Sequence, residues 1–163
     1  MAKKTILTLD DAMLSPGDPV ILITSTNKDY RMAYFLNKHL DFKLSRCSDM
    51  DYASKKGVSA VQYSLYDYEE TDIGVHWCLL SNKHERGNLI KRAGDVDFLL
   101  IGRGSHDVVD MEKIVKIIRS IPHVLFVREA ANAMLSNMEG VMQSLELTLI
   151  EEERKKKGKR GLM

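Results

Sequence analysis

Two stretches of the chain hold cations where a backbone turn could grip an anion. The first is Ser25–Arg31, between an apolar run and an amphipathic one. A helix opening there would offer unpaired N–H groups and the positive end of its dipole. Lys28 and Arg31 add two cations at that same end, which the dipole disfavours. A bound phosphate or carboxylate would account for the arrangement, and so would simple pairing with Asp29 or Asp41. The second stretch is Gly102-Arg103-Gly104-Ser105-His106, two glycines between an apolar run and a second amphipathic segment. That is the placement of a phosphate-cradling turn. It lacks the third glycine of a dinucleotide site and the lysine of a P-loop. Asp107, Asp110 and Glu112 already complement a helix dipole there, so a tight turn with a capping residue explains it equally. If the two strands were parallel neighbours, Arg103 would join Lys28 and Arg31, with Ser105 as a further anion donor.

Other constellations carry less. Ser105-His106-Asp107 has the residue types of a triad, but neighbouring side chains on a loop diverge, and a triad is defined by geometry. His76 and Cys78 share one face of an alternating segment, yet no third or fourth ligand has matching spacing. The expectation is therefore no catalytic residue, no metal and no cofactor. Tyr63, Tyr66, Tyr68 and Trp77 have the ring types of a single-strand RNA stacking surface. No run of basic and aromatic residues accompanies them, and cross-strand packing accounts for them. Met134, Met138, Met142 and Leu145 form an adaptable apolar stripe at helical spacing, suited to a core or to a partner.

The composition is that of a globular protein, with 44% apolar and 29% charged residues and a formal net charge of +1. Residues 151–163 carry three acids and six bases, which leaves the preceding 150 residues slightly acidic. Nucleic-acid binding by the body is thus not expected, and only the tail has the charge for it. Cys47 and Cys78 form no CxxC pair, and the start Met1-Ala2-Lys3-Lys4 leads into no signal-length apolar run. No run approaches a membrane span. The expectation is a cytoplasmic protein with free thiols.

These residues need elements to position them. Pro16-Gly17-Asp18-Pro19 separates a leader, Thr5–Leu9, from a strand at Val20–Thr24. Met32, Phe35, Leu36 and Leu40 then give one helical face, with Asn27 or Asp29 as cap. After it the period becomes two: Phe42 and Leu44; Val61, Tyr63 and Leu65; Ile73, Val75, Trp77 and Leu79. Asp67–Asp72 joins the last two as a hairpin, so an antiparallel meander with one buried face is expected. Val96–Ile101 reads as a central strand covered on both faces. Met111, Ile114, Val115, Ile118 and Ile121 form a second helical face ended by Pro122, and Val124–Val127 returns as a strand. Such a unit should be a right-handed crossover between parallel strands. Leu145–Ile150 fits a helix by its 3-4 spacing and a strand by its alternation; the Glu151/Lys155, Glu152/Lys156 and Glu153/Lys157 pairs favour helix. The expected fold is α+β: a mixed, mainly antiparallel sheet with helices on one face, ferredoxin-like or a related split βαβ, plus an amphipathic C-terminal helix. One domain over 1–150 would be followed by a charged tail over 151–163.

Four stretches in this order resemble the bacterial IPExxxVDY family over roughly residues 4–135. They are Lys28-Asp29-Tyr30-Arg31 to Leu36-Asn37-Lys38-His39-Leu40; Tyr63-Ser64-Leu65-Tyr66-Asp67-Tyr68; Leu80-Ser81-Asn82-Lys83 with Gly87-Asn88-Leu89-Ile90; and Asp97-Phe98-Leu99-Leu100-Ile101 with Arg119-Ser120-Ile121-Pro122. Ile121, Pro122 and Val127 fit the naming motif, whereas His123, Arg128 and Glu129 stand where the family has Glu, Asp and Tyr. The resemblance implies a divergent member, a small cytosolic bacterial α+β protein, and supplies no catalytic residue. The reading that follows is a non-catalytic protein-interaction or regulatory binding module, homodimeric through its Met-rich C-terminal helix. The alternative is a small-ligand protein or enzyme that holds a phosphate or carboxylate with Lys28, Arg31, Arg103 and Ser105. RNA binding through the basic tail is a third.

Overall fold

The computed structural model describes residues 19–53, 57–91, 94–104, 109–130 and 138–161. Ser105 and Met134, the leader Thr5–Leu9 and the Ser105-His106-Asp107 run lie outside them. The elements in order are β1 (Val20–Ser25), α1 (Asp29–Leu40), β2 (Ser45–Arg46), β3 (Met50–Tyr52), β4 (Val61–Tyr63), β5 (Leu65–Glu70), β6 (Val75–Ser81), β7 (Phe98–Gly104), α2 (Met111–Arg119), β8 (Val124–Glu129) and α3 (Glu139–Gly161). Six strands form one sheet in the order β2-β5-β6-β7-β1-β8, and β3 and β4 form a separate hairpin. The fold is α+β, and every neighbouring pair of strands is antiparallel.

β7 and β8 do run the same way, but β1 lies between them and opposes both. The segment β6-β7-β1-β8 thus has the strand order of a split βαβ arrangement, with β5 and β2 added at one edge. The consequence for the anion site is direct. β1 and β7 are antiparallel, with Val20 opposite Ile101 and Ile23 opposite Phe98. The loop after β1 and the end of β7 therefore lie at opposite ends of the sheet, and Arg103 cannot join Lys28 and Arg31.

The expectation of one buried face is corrected. Alternate residues of β1 and β7 feed two cores. Ile21, Ile23, Phe98 and Leu100 pack with Met32 and Leu36 of α1 and Ile118 of α2. Val20, Leu22, Leu99 and Ile101 pack on the other side with Val141, Met142, Leu145 and Leu149 of α3 and with the β3–β4 hairpin through Met50 and Tyr63. Alternation in β6 is hidden for the same reason: His76, Cys78 and Leu80 face α3 while Val75, Trp77 and Leu79 face α1 and α2. The 3-4 spacing wins over alternation at Leu145–Ile150, which is helical.

Local chemistry sets the boundaries. The helix α1 begins after Lys28, which has no side-chain capping bond, so neither Asn27 nor Asp29 caps it. Asn27 instead donates through Nδ2 to the Pro122 carbonyl at 2.8 Å, and Ser25 Oγ donates to the His123 carbonyl at 2.8 Å. These bonds pin the turn that ends α2 against the end of β1. Asp110 does cap α2, accepting from the Lys113 N–H. The run Val61–Leu65 breaks at Ser64, sending β4 and β5 to different sheets. The β5–β6 turn falls at Thr71–Gly74 rather than Asp67–Asp72, since Glu69 and Glu70 still pair with His76 and Val75. Asn82 is fully buried; its Oδ1 accepts from the Ile90 N–H at 2.7 Å and its Nδ2 donates to the Val96 carbonyl at 2.8 Å. It holds the 82–97 connection onto the sheet.

Candidate functional site

The described part of the Met stripe is core. Met138, Met142 and Leu145 are buried against the sheet, with Cys78, Leu80 and Ile101 in the same cluster. A stripe packed inside the chain offers no surface to a partner, so these three residues do not form an interaction patch in the folded protein. Residues of α3 that remain outside include Leu147, which is 56% exposed.

The anion candidates are dispersed. Lys28 is exposed at the start of α1, on a cleft of about 410 Å³ shared with Arg46, Lys83 and His84. The acids of that cleft are engaged: Asp97 pairs with Lys83 at 3.2 Å and accepts from the Ser25 N–H, Asp49 pairs with Arg46, and Asp29 accepts from the Tyr66 hydroxyl. Arg31 does not line this cleft; its guanidinium lies 5.7 Å from the Phe35 ring centroid. Arg103, at the far end of the sheet, forms an ion pair with Glu146 beneath α3.

A polar cluster missed at the level of sequence lies on that same α3 face. Asp67 on β5 accepts from the Cys47 thiol through Oδ1 at 2.9 Å and bonds His76 Nε2 through Oδ2 at 2.7 Å. Burial alone would raise the Asp67 carboxyl, but the hydrogen bonds from His76 and Cys47 outweigh it and hold it below its ordinary value. Burial and the neighbouring carboxylate both push the Cys47 thiol up, and burial pushes up Cys78. A nucleophilic cysteine needs a base or a cation at its sulfur. Here a carboxylate stands between thiol and imidazole and opposes thiolate formation. The arrangement ties β5, β6 and the segment just after β2 together. No group of three or more metal-ligating side chains occurs among the described residues.

The aromatic residues do not form a stacking surface either. Tyr63, Tyr66 and Trp77 are buried, and the Tyr63 hydroxyl donates to the Gly87 carbonyl. Trp77 and Phe42 stack at 5.0 Å between centroids, and Tyr68 lies 5.7 Å from Phe42.

That aromatic pair floors a cavity of about 500 Å³ between the end of α1, the first turns of α2 and the β5–β6 hairpin. Leu40, Phe42, Ile114 and Ile117 supply apolar walls, while Lys38 and Lys113 stand with Asp41 and Glu70 on the lining. Trp77 is 1% exposed, and its Nε1–H has no acceptor among the described residues. Its benzo edge is seated on Gly102, where an added Cβ would come within 2.8 Å of Cζ3 and of Pro19 Cγ. The pyrrole edge carrying Nε1 is the opposite edge of the ring. The lone tryptophan at an alternating position is visible in the sequence; the cavity is not, because its walls come from residues 38 to 117.

The remaining feature is an edge. β8 is the last strand of the sheet; among the described residues no strand pairs with its outer side, where the Arg119 guanidinium donates to the Val127 carbonyl at 3.5 Å. Leu125 and Phe126 are 69% and 51% exposed. The register between β1 and β8 shifts at Thr24/Ser25, which leaves Leu125 between the paired Val124 and Phe126 as a bulge. No described helix is long and apolar enough to cross a membrane.

No family model, no curated protein and no solved structure matches this chain. The resemblance to the IPExxxVDY family therefore rests on the four stretches quoted above.

Proposed function

We propose that this protein is a non-catalytic interaction module that pairs with a second copy of itself through the outer edge of β8. The observation that carries the reading is the six-residue open strand bearing exposed Leu125 and Phe126. Open edges present unpaired N–H and C=O groups and are normally blunted by charge, proline or brevity. β8 has no proline and its outward apolar residues sit at its centre. The edge is preferred to α3 as the contact because Met138, Met142 and Leu145 are buried within the chain.

A second copy fits this edge in a defined register. Phe126 and Arg128 lie on one face of the sheet, opposite Thr24 and Leu22. With a twofold axis at Val127, antiparallel pairing sets Phe126 of each copy across from Arg128 of the other. Two cation–π contacts then form on one face. Closed twofold pairing of this kind also removes the open edge. The resemblance to the IPExxxVDY family is compatible with a module of this kind and adds no activity to it.

Sedimentation equilibrium tests the reading. The wild-type chain is expected to be a dimer at tens of micromolar, and Phe126→Lys, which faces a lysine with Arg128, a monomer with an unchanged melting temperature. Adding Arg128→Glu to that variant should restore the dimer by charge pairing. A monomeric wild type, or a Phe126→Lys variant that still dimerises, overturns the proposal.

A further inference from the structure

The outer side of β8 carries one side chain whose bond the proposed pairing must break. The Ala130 N–H donates to the Val20 carbonyl at 2.9 Å, so Phe126, Arg128 and Ala130 turn their backbone groups toward β1. Val127 and Glu129 turn theirs outward. The Val127 carbonyl meets the Arg119 guanidinium at 3.5 Å, the long limit of a hydrogen bond. Arg119 is exposed in the last turn of α2, which the turn at 120–123 folds back along β8. A bond this weak is readily exchanged for a better one. Pairing with a second copy about Val127 makes the exchange necessary, because the Val127 N–H of that copy needs the same carbonyl.

Between α2 and the edge of β8 lies a groove of about 490 Å³, lined along the helix by Glu112, Val115, Lys116 and Arg119. Val115 is half-buried and the other three are exposed. Glu112 and Arg119 stand two helical turns apart on one face, with Val115 between them. A twofold axis perpendicular to the sheet at Val127 keeps both α2 helices on one face of the joined sheet, antiparallel on either side of the axis. Isologous contacts are reciprocal, so the acidic end of each helix face meets the basic end of the other. Building on the β8 pairing proposed above, we infer that α2 is the second half of that interface. On pairing, Arg119 leaves the Val127 carbonyl for Glu112 of the second copy, once on each side of the axis. The charges of the groove, Glu112 and Glu129 against Lys116, Arg119 and Arg128, are mixed in sign. Such a face is complementary to itself rather than to a strongly charged partner.

Exchange of charge between chains, followed by sedimentation equilibrium on the full-length protein, tests this contact. Glu112→Arg and Arg119→Glu each set like charges face to face twice, and each should weaken the dimer about tenfold or more. Both positions are exposed, so the melting temperature of the dilute monomer should stay at the wild-type value. Mixed in equal amounts, the two variants should recover the dimer as a heterodimer, because both pairs across the axis are then of opposite charge. A pair formed within one chain gives no such recovery. Glu112→Arg at wild-type affinity, with Phe126→Lys still monomeric, overturns the α2 contact and leaves the edge pairing standing. A loss that mixing does not repair overturns it as well. A monomeric wild type overturns both.

Discussion

At the scale of single residues, the side chains of the β5–β6 pair have separate partners. His76 and Cys78 do share a face, but His76 is held by Asp67 and Cys78 is sealed beneath α3. Asp67 carries the most testable consequence. Its carboxyl is held below its ordinary value near 3.8, despite burial, by His76 and Cys47. The groups facing it are Cys47 just after β2, His76 and Cys78 from β6, and Lys156 from α3. A depressed folded pKa means that the unfolded chain takes up the proton first as pH falls. The stabilisation is therefore fully present above about pH 4 and is lost as pH drops through the lower folded value. In urea denaturation, Asp67→Asn should lower the midpoint at pH 7 relative to wild type, and the gap should shrink by pH 3. A gap of constant width would show that the negative charge contributes nothing to folding. Little of this was legible in the sequence, because Asp67 and His76 come from two strands, Cys47 from the segment after a third, and they carry no spacing signature.

At the scale of elements, periodicity served well where one period dominated. Met32, Leu36 and Ile118 are on buried helix faces, and Phe98–Ile101 is covered on both sides. It failed where two cores compete for one strand, since a strand buried on both faces has no polar side for alternation to mark. It also failed at Ser64, where one alternating run supplies two strands of different sheets. The helix α3 shows how far a pattern can be trusted. Leu145, Leu147 and Leu149 alternate like a strand, yet only Leu145 and Leu149 are buried, four residues apart on one helical face. Leu145→Ala should therefore destabilise by about 2–5 kcal/mol. Leu147→Ala, on the exposed side, should stay within about 0.5 kcal/mol. Equal effects from the two would contradict the helical packing. Beyond Leu149 the helix runs on unbroken to Gly161, so the charged segment after residue 150 continues α3. Glu152 accepts from the Ser48 N–H, and Lys155 Nζ donates to Ser48 Oγ at 3.1 Å. The charged tail is thus tethered at its first turn.

At the scale of the whole molecule, the decisive fact is that one sheet serves two cores. β1 and β7 place successive residues in opposite clusters, so neither cluster can loosen without disturbing strands that hold the other. Interiors packed at crystal-like density transmit such disturbances rather than absorb them. Unfolding should accordingly be one transition, as is usual at this size. The chain provides a clean test because its sole tryptophan reports on one core only. Trp77 lies with α1 and α2, and Leu145 lies across the sheet with α3. If the sheet couples the two, Leu145→Ala should shift the tryptophan fluorescence transition by the same amount as the circular dichroism transition. The two probes should remain superimposed in wild type and variant alike. Were α3 instead a separately melting layer, the variant would lose helical signal early while the fluorescence transition stayed at the wild-type midpoint. That outcome would also bear on the edge: a core able to shed α3 would expose the Met stripe and restore it as a surface for a partner.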